Sequence, residues 1–186
     1  MAKKLQKLLT ELLLLIVGVL IALLINNWKE NLGDKRYLDN TFLAIQKEVE
    51  QSKKEIEEIL PRHYNLIDSL NLYLTDESKS IMEIGQQAGG IQYPQIKNIS
   101  LRFFITSKAE LISYDIISDL TAMEDFKVMM EKKFDRLMDY AYDYLDKTDK
   151  DSKMKFVIHL SNVIDSESHL LELYETYLKK HGDIQN

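Results

Sequence analysis

From Leu12 to Ile25 the chain carries no polar side chain. Extended back to Leu8, the stretch measures about 27 Å as a helix at about 1.5 Å per residue. A hydrocarbon core is about 30 Å thick, so the natural expectation is one membrane crossing over residues 8–28. This run constrains the rest of the molecule. It leaves a short basic tail over 1–7 and a polar remainder over 29–186 that folds in water.

A cleaved secretory signal is the competing reading, because Lys3, Lys4 and Lys7 supply a basic head ahead of the apolar core. A signal peptidase site needs small residues two apart. Here Ala22 is followed by Leu24, and then come Ile25, Asn26, Asn27 and Trp28. Trp28 belongs among lipid headgroups, as an interfacial anchor where an uncleaved span stops. The lysines and arginines flanking the run are balanced: Lys3, Lys4 and Lys7 on one side, Lys29, Lys35 and Arg36 on the other. A short basic head before a long C-terminal domain has the form of a signal anchor. The expectation is a cytoplasmic tail, an inner-membrane span and a periplasmic domain over 29–186.

Within the span, Gly18 and Ala22 share one helix face and form a small-xxx-small pair that permits close helix approach. Glu11 is the one carboxylate near its edge, and Lys7 stands one turn earlier for an ion pair. The expectation for Glu11, Gly18 and Ala22 is a contact surface inside the membrane. For Glu11 the simpler alternative is an interfacial charge pair.

Glu11, the stretch from Ile16 to Leu23, Ile25-Asn26-Asn27-Trp28 and Glu30 together resemble a signature of small single-pass proteins of Gram-negative bacteria, the domain-of-unknown-function 6090 family. Thr10 stands where that pattern has glycine, Leu24 where it has glutamine, and Lys29 where it has asparagine. A second block, Phe104-Ile105-Thr106-Ser107 with the stretch from Leu111 to Asp125, is similar to a further part of the family pattern. The resemblance implies a membrane-anchored helical protein. It brings no activity and no site residues with it.

The chain is acidic on balance, with a net charge of −6, and holds no block of like charge. Nucleic-acid phosphates require a basic face, so that partner class is not expected. The chain has no cysteine, which removes disulfides and thiol chemistry and fits either side of a membrane.

Leu38, Phe42, Ile45, Val49, Ser52, Ile56, Ile59, His63, Leu66, Leu70 and Tyr73 alternate by four and three residues. That is the heptad spacing of helix-on-helix packing and predicts a long first helix. Pro61 interrupts it and predicts a kink, because the repeat continues in phase. Asp76 to Thr106 is irregular, with a short helix over Ser80–Ala88 broken by Gly89-Gly90 and a loop or short helix entry over Ile99–Ile105. Ser107 with Glu110 and Thr121 with Glu124 read as capping boxes, predicting helices over 108–117 and 122–147. Phe126, Met130, Phe134, Leu137, Ala141, Tyr144 and Leu145 give the longer one an apolar stripe. A last helix over 152–181 keeps Val157, Leu160, Ile164, Leu171, Tyr174 and Leu178 in step, and Gly182 ends it. The expected fold is all-α: one N-terminal transmembrane helix, then an antiparallel helical bundle.

The search for chemistry returns little. Glu167 and His63 fall in the apolar registers of the last and first helices, and such a pair can support acid–base work. The simpler reading is a polar residue at the core edge, snorkelling or hydrogen-bonded. No Glu-x-x-His occurs, and His159, His169 and His181 lack partners at ligand spacing. Tyr140, Tyr142 and Tyr144, with Tyr174 and Tyr177 later, fit packed rings better than a ligand cage. No phosphate loop or nucleophile elbow is present. Neither a catalytic site nor a cofactor or metal is expected.

The expectation is a membrane-tethered bundle acting through protein contacts, as a scaffold or assembly component. Its partners would be the lipid bilayer, a membrane or periplasmic protein, and a second copy of the chain. The competing expectation is an extracytoplasmic sensory module that signals through a membrane partner, since the seven residues before Leu8 hold no output domain.

Overall fold

The computed structural model describes residues 2–107 and 111–182, with side chains for all of these except 2–8, 10, 105 and 107. Among the described residues the chain is all-helical: α1 (Ala2–Leu72), α2 (Ile81–Gln87), α3 (Ile99–Ser107), α4 (Tyr114–Tyr144) and α5 (Lys150–His181). It divides into two compact units, Met1–Phe42 and Leu43–Asn186.

In the first unit the apolar run is helical and exposed throughout. From Leu12 to Ile25 its large side chains all face outward, Leu24 by 67 % and Leu14 by 64 %. No part of the apolar window is buried against protein, and the helix is long and apolar enough to cross a membrane.

The second unit is a bundle built around the inward face of α1. Ile45, Val49, Ser52, Ile56, Ile59, His63, Leu66 and Leu70 are all buried, so the heptad positions predict the core face residue by residue over this span. Pro61 does not end the helix. It lies on the exposed side, where water can serve the carbonyl one turn earlier that the proline cannot reach.

α5 runs antiparallel to α1. Lys53 pairs with Glu175 at 3.4 Å, His63 meets Glu167 at 3.0 Å, and Lys153 reaches the Tyr73 carbonyl at 2.9 Å. α4 and α5 are likewise antiparallel: Asp119 near the start of α4 binds Lys180 at the end of α5, and Tyr140 donates to the Ser152 carbonyl at 3.0 Å. Leu66 and Leu70 of α1 share one core with Ile81 and Ile84 of α2, Leu137 and Ala141 of α4, and Phe156, Leu160, Val163 and Ile164 of α5.

Local signals set the remaining ends. Ser80 and Glu83 make a reciprocal capping box at α2, whose first amides donate to the Lys147 and Leu145 carbonyls in the α4–α5 turn. Gly89 and Gly90 follow with φ of 96° and 75°, a conformation that side chains disfavour. Asp149 caps α5 through the Ser152 amide at 2.9 Å.

Several expectations need correction. Ile99–Ser107 is a full helix rather than a loop or helix entry. Thr121 does not cap a new helix: α4 is continuous from Tyr114 to Tyr144, because Leu120 and Met123 are both buried and hold the turn in register. The proposed caps Ser107 and Glu110 lie outside the described side chains. Tyr144 leaves the predicted stripe and is exposed. Gly182 ends α5 as the sequence predicts, with a right-handed φ of −64° and its amide donating to the Leu178 carbonyl.

Candidate functional site

The feature with most chemical content is a buried acid–base pair. His63 occupies a heptad position of α1 and Glu167 an inward position of α5, and the antiparallel packing brings them opposite one another. His63 Nδ1 lies 3.0 Å from Glu167 Oε2, and both side chains are 0 % exposed. Each leaves one polar atom, His63 Nε2 and Glu167 Oε1, buried without a hydrogen-bond partner. Orphaned polar atoms in a low-dielectric core are costly. Of the two simple readings of these residues, hydrogen bonding stands; snorkelling does not, because neither side chain reaches solvent.

An irregular strap over residues 91–98 runs along α1 in the opposite direction. Arg62 donates to Gln92 at 2.7 Å, and the Gln95 amide donates to Glu55 at 3.4 Å. Ser52 Oγ accepts from the Lys97 amide at 2.9 Å and donates to its carbonyl at 3.2 Å, standing in for one rung of a strand. Glu48 then accepts from the Ser100 amide at 3.0 Å, placing a carboxylate at the positive end of α3. On its other side the strap meets α4: the Tyr93 ring packs edge-on against Phe134 at 4.8 Å, and Asn98 donates to Glu124. Burial raises the Tyr93 hydroxyl above its ordinary range, and the negative charges of Glu131, Asp135 and Glu167 add to the shift.

Lys153 is also fully buried. Its ammonium donates to the carbonyls of Tyr73 at 2.9 Å and Asp76 at 2.6 Å, just past the end of α1. A cation there adds to the turn amides of Asp76 and Lys79 that already reach these carbonyls and complements the helix dipole.

The histidines and tyrosines singled out by the sequence are dispersed. His181 and Lys180 share Asp119 at 2.9 Å and 2.8 Å. His169 lies against the Phe126 ring at 4.4 Å. Tyr140 stacks between Tyr144 at 4.4 Å and His159 at 5.0 Å, while Tyr142 points outward. Tyr174 and Tyr177 are core residues. Among the described residues no group of three or more His, Cys, Asp or Glu side chains is placed to hold a metal ion.

Glu11, Gly18, Ala22 and Trp28 all lie on α1 within the first unit and are exposed there. A methyl group added at Gly18 would meet nothing within 4 Å, so the chain's own packing does not require glycine there. Glu11 has a further interaction. Its proposed partner Lys7 lies outside the described side chains.

The sequence named His63 and Glu167 and raised their pairing, and the structure brings the two together. Lys153, Ser52 and Glu48 were not singled out as site residues, because bonds from side chains to distant backbone leave no local pattern. No family model, curated protein or solved structure matches this chain.

Proposed function

We propose that this chain is a membrane-anchored helical-bundle protein that acts through protein contacts, in a scaffold or assembly role, and carries no catalysis. The exposure of every large side chain from Leu12 to Ile25 carries the reading. Such a surface calls for lipid or partner helices in place of water. The resemblance of the same segment to the domain-of-unknown-function 6090 family supports the same assignment. The reading of no enzymatic role is supported by the sealing of the His63–Glu167 pair from solvent, which denies a substrate access to it.

In this reading residues 1–7 stay in the cytoplasm, 8–28 cross the inner membrane with Trp28 at its outer edge, and 29–186 face the periplasm. Glu11, Gly18 and Ala22 form the face that meets a neighbouring membrane helix. The experiment joins alkaline carbonate extraction to a reporter fused after Asn186. A chain that stays with the membrane, with a reporter active only outside the cytoplasm, is the expected result. Extraction into the carbonate wash removes the anchor, and cytoplasmic activity inverts the topology. Crosslinking in the membrane then identifies partners. Loss of crosslinks in Gly18→Leu is expected, and an unchanged pattern argues against the small-residue face.

A sensory module is the second reading, favoured by one observation. A single helix, α1, supplies both the apolar run and the core face of the bundle. Signalling requires a partner that reads the tail or Glu11, so partner identity separates the two readings.

A further inference from the structure

The inward face of α1 is apolar at Ile45, Val49, Ile56, Ile59, Leu66 and Leu70 and polar at Ser52 and His63. Apolar residues at this spacing are also what a second copy of the same helix needs for coiled-coil pairing. The chain therefore faces a choice between covering α1 with its own later segments and covering it with another α1. Hydrophobic burial alone discriminates poorly between the two, because it is non-directional.

Each polar position has its partner on a later segment of the same chain. Ser52 exchanges two hydrogen bonds with the Lys97 backbone in the strap. His63 meets Glu167 of α5 at 3.0 Å with no solvent at either group. A second α1 in the place of α5 brings neither the Glu167 carboxylate nor the strap peptide. His63 would then be buried with its ring nitrogens unmatched, which is the situation that a single polar core residue uses to forbid a packing arrangement.

We propose that the His63–Glu167 pair, supported by Ser52, is a selectivity lock: it commits the heptad face of α1 to α5 of the same chain and excludes self-association through a second copy's α1. A buried ion pair or hydrogen-bonded pair is often no more stabilising than apolar residues of similar size, so its value here lies in the choice it enforces.

The test uses the full chain in detergent micelles and compares wild type with His63→Leu combined with Glu167→Leu. Light scattering gives the mass of the protein component, and hydrogen exchange reports which helices stay covered. The expected result is a folded variant whose protein mass roughly doubles, or rises further, as concentration increases. α1 keeps its exchange protection in that state while α5 loses it. A second variant, His63→Gln with Glu167→Gln, retains a polar match between the helices and is expected to keep the wild-type mass.

An apolar variant with wild-type mass and wild-type exchange at every concentration overturns the proposal. So does an apolar variant that fails to fold, because the pair would then be required for folding itself. Self-association of the glutamine variant equal to that of the leucine variant also overturns it, since polarity would not be the deciding property.

Discussion

His63 Nδ1 and Glu167 Oε2 lie 3.0 Å apart across α1 and α5, and no solvent reaches either residue. Removing one partner leaves the other buried without compensation. His63→Ala and Glu167→Ala are each expected to lower stability by about 3–5 kcal/mol, the usual cost of breaking a buried pair from one side. Urea unfolding followed by circular dichroism measures this. A loss within experimental error of zero for both would show that the core relaxes to admit water.

Lys153 reads as a cap on the end of α1, through the Tyr73 and Asp76 carbonyls. Lys153→Met keeps most of the volume and deletes two charge-assisted bonds. The expected loss is about 1.5–3 kcal/mol, the usual worth of hydrogen bonds to a charged group, because turn amides still reach both carbonyls. Amide exchange should quicken first around residues 69–76; an increase confined to α5 would contradict the capping role.

Three tyrosines give the bundle an alkaline limit. Burial, with the Asp119 charge adding to it, pushes Tyr177 up to about 12, and burial raises Tyr174 and Tyr93 further. A raised folded pKa means that the native state holds its proton more tightly than the unfolded chain does. The associated stability is therefore complete below the unfolded value of about 10 and is lost as pH rises from there through about 12. Tyrosinate absorbance and helical signal should change together over that window. Ionisation of these three hydroxyls with no loss of helix would refute it.

Asp119 ties the start of α4 to the end of α5. Its partial burial alone would raise its pKa, but the hydrogen bonds and charges of Lys180 and His181 outweigh that and hold it below the usual carboxylate range. A depressed pKa contributes stability that is present above the unfolded value of about 3.9 and is lost as pH falls through the folded value. Asp119→Asn is expected to cost about 1 kcal/mol or less, because the group is partly exposed. It should also flatten the acid limb of the stability profile; a profile unchanged below pH 5 would leave the tie without thermodynamic effect.

The core face of α1 was legible because burial repeats with the helix. From Ile45 to Leu70 each heptad position is inside, polar members included. The registers raised a pairing of His63 with Glu167 but did not fix it, because 104 residues separate them and a heptad register sets depth without setting the partner. Thr121 and Glu124 misled for a related reason. A capping box acts only where the backbone leaves the helix, and the burial of Leu120 and Met123 keeps it helical there. The strap over 91–98 left no trace in periodicity, since Ser52 and Glu55 bind its backbone, which every sequence shares.

The ties between α1 and α5 succeed one another along the antiparallel pair: Lys53 with Glu175, His63 with Glu167, then Lys153 with the turn after Leu72. Leu43 and His181 therefore stand at the same end of this ladder. A mechanical load applied at those two points meets the ties one after another and peels the helices apart as a zipper, with the exposed Lys53 contact yielding first. The same load applied between Leu43 and Lys150 strains all three at once in shear, so this bundle resists force according to where it is held.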